Sequence, residues 1–240
     1  VRRAALLVAL ALSCTACGDE PVSEPRPARE EDVPRGPAGQ AEVRCTGASI
    51  DPPELELVAA RADADLLGTL SALEAIVGRH AGSSTARVRL GELALRTDPP
   101  RAEAAARWLE RALALHDEGC TLGERDHWAA LEGSALARMM QRDYAGALPF
   151  LRQSLQRWSS VRSTRYNLAC ALCQTGDLDG CERELTAVLG ATEPMPAFLA
   201  DATRPPGHFR TMAGQDPDLA PLRADAARFE RVLRADPSAP

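Results

Sequence analysis

Asp143 and Asp177 stand 34 residues apart, and their surroundings keep the same step: Tyr144 with Leu178, Ala147 with Cys181, Leu151 with Leu185, Leu155 with Leu189 and, upstream, Ala135 with Ala169. A period of this length is one supersecondary unit. Such a unit cannot bury its own apolar face, so copies must stack in sequential order and the architecture is held to an array. Helical periodicity fills the repeat. From about Asp51 onward apolar residues recur at i, i+3 and i+4, as in the stripe Leu66, Leu67, Leu70, Leu73, Ile76 and Val77, with no convincing strand-type alternation. Ala81-Gly82-Ser83-Ser84 stops that helix and caps the next. Further helices are predicted near 84–97, 101–116, 125–141, 144–158, 161–175 and 178–190. The fold class is all-α, a solenoid of helix-turn-helix units with capping helices.

An earlier copy of the repeat is legible with insertions. Leu90-Gly91 matches the first helix, and Ala105, Leu109, Ala112 and Leu113 match the second. Gly91 to Ala105 is 14 residues against 12 from Ala135 to Ala147, which assigns two extra residues to the Asp98-Pro99-Pro100 turn. Ala105 to Ala135 is 30 against 22 from Ala147 to Ala169, and the excess of eight is expected in a loop around Glu118–Arg125. Three repeats follow, at about 84–117, 125–158 and 161–191. Small residues at Gly91, Ala135 and Ala169 are expected to face Ala105, Ala147 and Cys181, with Leu109, Leu151 and Leu185 filling the next hole. The helix at 66–80 caps one end.

Tyr166-Asn167-Leu168-Ala169, followed by Gln174-Thr175-Gly176-Asp177-Leu178, resembles a tetratricopeptide repeat (TPR). The tail Asp216-Pro217-Asp218-Leu219-Ala220-Pro221-Leu222-Arg223, with Asp225 and Phe229, resembles a segment that often follows such repeats. It is expected to cap the array over about 205–235, laying Leu219, Leu222, Phe229, Val232 and Leu233 on the last hairpin. The resemblance implies a concave groove, formed by the first helix of each repeat, that binds a protein or peptide partner. Its groove positions here are Arg89, Glu92 and Arg96; Glu132, Leu136 and Met139; and Ser163, Tyr166, Asn167, Cys170 and Gln174. Asn167 falls where the family places an Asn that contacts ligand backbone. The family's carboxylate-clamp variant uses Lys, and all 28 basic residues of this chain are Arg. Guanidinium and ammonium groups are not interchangeable, so a peptide C-terminus is not the expected ligand.

The absence of Lys removes other chemistries. A Walker-type phosphate loop, a pyridoxal Schiff base and a Ser-x-x-Lys nucleophile each require it. With 34 acidic side chains the net charge is −6, which argues against a nucleic-acid partner. No catalytic set and no cofactor can be nominated, so an enzyme is not expected.

Residues 1–16 read as a lipoprotein signal peptide: a basic start, the apolar run Ala4–Leu12, then Ser13-Cys14-Thr15-Ala16-Cys17. The end resembles a bacterial lipobox, with Cys17 the favoured acylated residue and Cys14 the alternative. Residues 17–50, rich in Pro, Glu and Arg, read as a disordered tether between the membrane and a helical domain at 51–240. The expected location is the bacterial cell envelope, lipid-anchored, on a periplasmic or outer-membrane face.

In an oxidising compartment, Cys45 and Cys120, both in predicted loops, are the candidate disulfide pair. Cys170, Cys173 and Cys181 read first as packing residues. His116, Asp117, Glu118, Cys120 and His127 gather metal-type ligands without a recognised zinc spacing, so no metal is assigned. The primary expectation is a membrane-tethered TPR adaptor or assembly factor. The alternative is a periplasmic metal- or redox-linked protein using Cys170, Cys173 and Cys181 or the His116–His127 loop.

Overall fold

The computed structural model describes residues 45, 47–48, 51–191, 194–202 and 207–235. The signal segment, both acylation candidates and most of the tether lie outside the described residues. Six helices form the body: α3 (Ser84–Leu95), α4 (Ala102–Asp117), α5 (Glu124–Met140), α6 (Tyr144–Arg157), α7 (Arg162–Gln174) and α8 (Leu178–Leu189). Each packs on the next in chain order, and α3 also meets α5 while α5 meets α7. Neighbour-only contacts of this kind define a helical solenoid. Before the body lie α1 (Leu55–Ala59) and α2 (Leu66–Arg79); after it come a 3-10 turn at Ala197–Ala202, α9 (His208–Gln215), a second 3-10 turn at Pro217–Leu219, α10 (Ala220–Arg223) and α11 (Ala226–Leu233).

The repeated Asp is a helix cap. Asp143 and Asp177 accept the backbone N–H of Gly146 and Gly180 at 2.9 and 2.8 Å, satisfying a donor that the first turn of α6 and α8 would otherwise leave open. The same Asp-x-x-Gly spacing occurs at Asp65, which accepts from Gly68 N–H at 2.9 Å and starts α2. Helix α2 is thus built like the second helix of a repeat, with the five-residue α1 as its stunted first helix. The sequence reading placed α2 as the cap of one end; the structure pairs it with α1 in a shortened hairpin that packs on α3. Preceding α6 and α8, Arg142 and Gly176 take the left-handed backbone with φ of 63° and 86°. The N–H groups behind them, of Asp143 and Asp177, reach back to the carbonyls of Arg138 and Leu172, closing equivalent helix ends.

Packing between repeats turns on Leu109. A Cβ at Gly91 would fall 2.3 Å from its Cγ, and one at Gly133 2.8 Å from its Cδ1. Leu109, fully buried, is seated between α3 and α5 because both backbones lack a side chain there. The spacing argument found Gly91 but paired it with Ala105, and it missed Gly133. Ala135, Ala147, Ala169 and Cys181 are all inaccessible, as small residues at helix crossings must be for backbones to approach closely.

The insertion between the first two repeats is mostly helix. Helix α4 has 16 residues against 14 in α6, and α5 has 17 against 13 in α7. Only two of the eight extra residues lengthen the connection, which spans 118–123 against 158–161. The expected eight-residue loop is therefore corrected: helix extension stays hydrogen-bonded and buried where a long loop would not. The short connection carries Cys120-Thr121, which pairs in parallel with Gly47-Ala48 as a two-residue bridge. A disulfide joins Cys45 to Cys120, with Cα atoms 4.8 Å apart.

Candidate functional site

The first helices of the repeats, α3, α5 and α7, line one face of the array, and a groove of about 450 Å³ lies along it. Glu92 and Leu95 come from α3; Trp128, Glu132, Leu136 and Met139 from α5; Ser163, Tyr166, Asn167 and Cys170 from α7. Its far wall is the C-terminal segment, through Phe209, Met212, Asp216, Pro217 and Asp218. Arg142 and Tyr144, at the α5–α6 turn, close one side. Its lining mixes apolar side chains, among them Leu136, Met139, Phe209 and Met212, with acids and neutral polar groups.

At the α3 end the charges neutralise one another. Arg89 lies 2.8 Å from Asp126, 3.2 Å from Glu92 and 3.7 Å from Glu56, and Arg125 contacts both Glu92 and Asp126. Burial alone would lower the Arg89 pKa, but the three carboxylates outweigh it and hold the guanidinium above its ordinary value. Arg89 is not among the residues that line the groove, and neither is Arg96, which pairs with Asp63 at 2.7 Å.

Between α5 and α7 the partners are neutral. Glu132 accepts from the Thr164 hydroxyl at 2.6 Å and from the Asn167 amide at 2.5 Å, and Trp128 donates to Thr164 at 3.3 Å. Burial raises the Glu132 pKa, with the two hydrogen bonds opposing. One N–H of the Asn167 amide is thus engaged by Glu132, and Asn167, which the family resemblance placed on a ligand, lines the groove. Tyr166 donates to Asp216 at 3.0 Å, Cys170 approaches the same carboxylate at 3.7 Å, and Gln174 donates to the Asp218 carbonyl at 2.8 Å. Tyr144 donates to the Asp218 carboxylate at 2.7 Å. Burial and this carboxylate push the Tyr144 pKa up to about 12.

The tail therefore does more than cover the last hairpin. Leu219, Leu222 and Val232 are inaccessible, and Phe229 and Leu233 pack beside them. In addition, Asp216-Pro217-Asp218 lies along the α7 stretch of the concave face and engages Tyr166, Cys170 and Gln174. The sequence reading named those three as groove residues and the tail as a cap, but did not join them. The shared signal was present: an acidic, Pro-fixed Asp-Pro-Asp beside hydroxyl, thiol and amide donors.

Of the other cysteines, Cys173 and Cys181 form a disulfide, with Cα atoms 5.1 Å apart, that ties α7 to α8. Their reading as plain packing residues is corrected: the crossing of a helix pair brings two small side chains into bonding range. Cys170 is a buried free thiol whose pKa is raised, by burial first and then by Asp216 and Asp218, so the thiolate is suppressed. At the inserted connection, His116 and His127 rings sit 4.2 Å apart. Burial, then His116 and Arg157, lower the His127 pKa to about 4. Among the described residues no group of three or more His, Cys, Asp and Glu side chains is placed to hold a metal ion.

The chain is a TPR-like helical solenoid closed by its own C-terminal segment. No family model matches the sequence, and no curated protein matches it. Solved structures of the same fold do. YrrB, described as a TPR protein with an unusual peptide-binding site, superposes over 79% of this chain and 87% of its own, with a TM-score of 0.53 at 13% identity. A double mutant of MamA from RS-1 covers 77% of this chain and 95% of its own, with a TM-score of 0.52 at 14% identity. A Podospora anserina protein assigned as a kinesin light chain, with nearly identical TPR-like repeats, covers 76% and 90%, with a TM-score of 0.52 at 18% identity.

Proposed function

We propose that this protein is a non-enzymatic interaction adaptor that holds a segment of a partner protein in its concave groove. The observation that carries the reading is the groove itself: about 450 Å³ lined by apolar and polar side chains of α3, α5, α7 and the C-terminal segment. Clefts of this size with a few fixed polar groups are what a bound segment needs for affinity and orientation. YrrB, of the same fold, has a peptide-binding site by description, which supports the reading by analogy of fold. The finer part of the proposal is place: acylation at Cys17, or at Cys14, would tether the body to a bacterial envelope membrane, with the Pro-rich stretch as spacer. Thiol chemistry is the weaker alternative, because Cys173 and Cys181 are spent on each other and the Cys170 thiolate is disfavoured.

Site-specific photo-crosslinking in the native host tests the adaptor. A crosslinking residue at Leu136, in the groove, is expected to trap a discrete partner, and one at Arg152, exposed on α6, is not. Crosslinks to a partner from Arg152 alone overturn the groove reading. Intact mass of the mature protein tests the anchor: it is expected to begin at an acylated Cys17 or Cys14, and an unmodified N-terminus overturns that part.

A further inference from the structure

We propose that the groove is selective for a cationic segment, one in which an Arg or Lys side chain flanked by apolar residues reaches Glu132 and Asp218. The proposal deepens the groove reading above and rests on it.

Charge complementarity carries the argument. Four carboxylates line the groove, from Glu92, Glu132, Asp216 and Asp218, against one guanidinium, from the exposed Arg142. Glu92 is already neutralised, by Arg89 at 3.2 Å and Arg125 at 3.4 Å. The other three differ: among the described residues none of them has a cationic group in ion-pair range, and each is held by neutral donors. Glu132 is held by Thr164 and Asn167, Asp216 by Tyr166, and Asp218 by Tyr144. Neutral donors orient a carboxylate and lower its solvation cost without cancelling its charge. Leu136, Met139, Tyr166 and Met212 line the same groove, and apolar surroundings strengthen attraction between a carboxylate and an incoming cation. Burial raises the pKa of both Glu132 and Asp218; for Asp218 the neighbouring Asp216 adds to the rise, and the Tyr144 hydrogen bond and the Arg142 charge oppose it without cancelling it. A cationic side chain with an apolar stem satisfies both features, since its methylenes cover the wall while its head reaches the acid. An acidic or purely apolar segment would leave the carboxylates desolvated and unpaired, which disfavours it.

The test is a selection of randomised decapeptides displayed on phage against the full chain, the isosteric Glu132→Gln/Asp218→Asn variant and the groove-blocked Leu136→Glu variant. All three are checked by far-UV circular dichroism and thermal melting before use. Wild type is expected to enrich peptides with Arg or Lys beside an apolar residue. The isosteric variant should bind those same peptides at least roughly tenfold more weakly, the loss of one charge-assisted contact. Enrichment of apolar or acidic peptides without a basic position overturns this proposal and leaves the groove reading standing. Basic enrichment that persists undiminished in the isosteric variant overturns the assignment to Glu132 and Asp218. Failure to enrich anything beyond the Leu136→Glu variant overturns the groove reading as well.

Discussion

The two ends of the concave face hold their acids in opposite ways. At the α3 end Glu92 and Asp126 meet Arg89 and Arg125, and the charges cancel inside the protein. At the α7 end Glu132, Asp216 and Asp218 meet hydroxyl and amide groups, and among the described residues no cation lies in ion-pair range of them. The ends also differ in their crosslinks. Cys45–Cys120 closes a loop with a sequence separation of 75 beside α5, and Cys173–Cys181 one of 8 inside the last hairpin. The contrast teaches that a row of similar groove positions need not share one role. Internal ion pairs make the α3 end a structural clasp, while neutral hydrogen bonding keeps the α7 end electrostatically open to something outside.

The largest expected effect breaks the clasp end covalently. Cys45→Ser with Cys120→Ser releases the longer loop, and chain entropy alone predicts a loss of about 4.5 kcal/mol, against about 2.5 kcal/mol for the Cys173–Cys181 pair. Urea unfolding of both double variants reads the difference; equal losses would mean that loop length does not govern it. Next, Arg89→Met should cost about 3 kcal/mol, because Glu92 and Asp126 are left partly buried beside fewer cations. A neutral result in the same melt would show that Arg125 alone balances the cluster. At the open end Arg142→Gly should raise stability by roughly 0.5–1 kcal/mol, because its φ of 63° strains a side chain that Gly176 avoids in the next repeat. Loss of stability there would mean that Arg142 is needed as a counter-charge to Asp218.

The smallest effect is a matter of sign. Burial raises the Glu132 pKa in the folded state, so the native protein holds that proton more tightly than the unfolded chain. Its contribution to stability is full below the ordinary Glu value and is lost as pH rises through the raised folded value. Glu132→Gln should flatten that part of the stability–pH curve and exceed wild type above it. The reverse slope would mean that Glu132 has a cation the structure does not give it.

Much of the fold was legible because the repeat signals are local. Asp143 and Asp177 cap helices through a side chain three residues from its target, and Leu, Ala and Gly spacing marks crossing helices, all within one period. The shape of the insertion was not, since the letters of 118–125 read as polar loop while the extra residues went into extending α4 and α5. The site was legible in its first-helix members, Glu92, Glu132, Met139, Tyr166, Asn167 and Cys170, because helical spacing puts them on one face. Its far wall was not: Tyr144 and Asp218 are 74 residues apart and Tyr166 and Asp216 are 50 apart, contacts that only tertiary folding creates. Arg89 and Arg96 shared the face by spacing but were drawn to Asp126 and Asp63, which no periodicity encodes.

The carboxyl carbons of Glu132 and Asp218 can be followed by NMR as pH is varied in the free protein. Both should titrate above the ordinary range for their residue types, the mark of acids whose desolvation outweighs their neutral hydrogen bonds and, for Asp218, the charge of Arg142. Titration of either at or below that range would reveal a counter-ion already in place, and the α7 end would then be as closed as the α3 end.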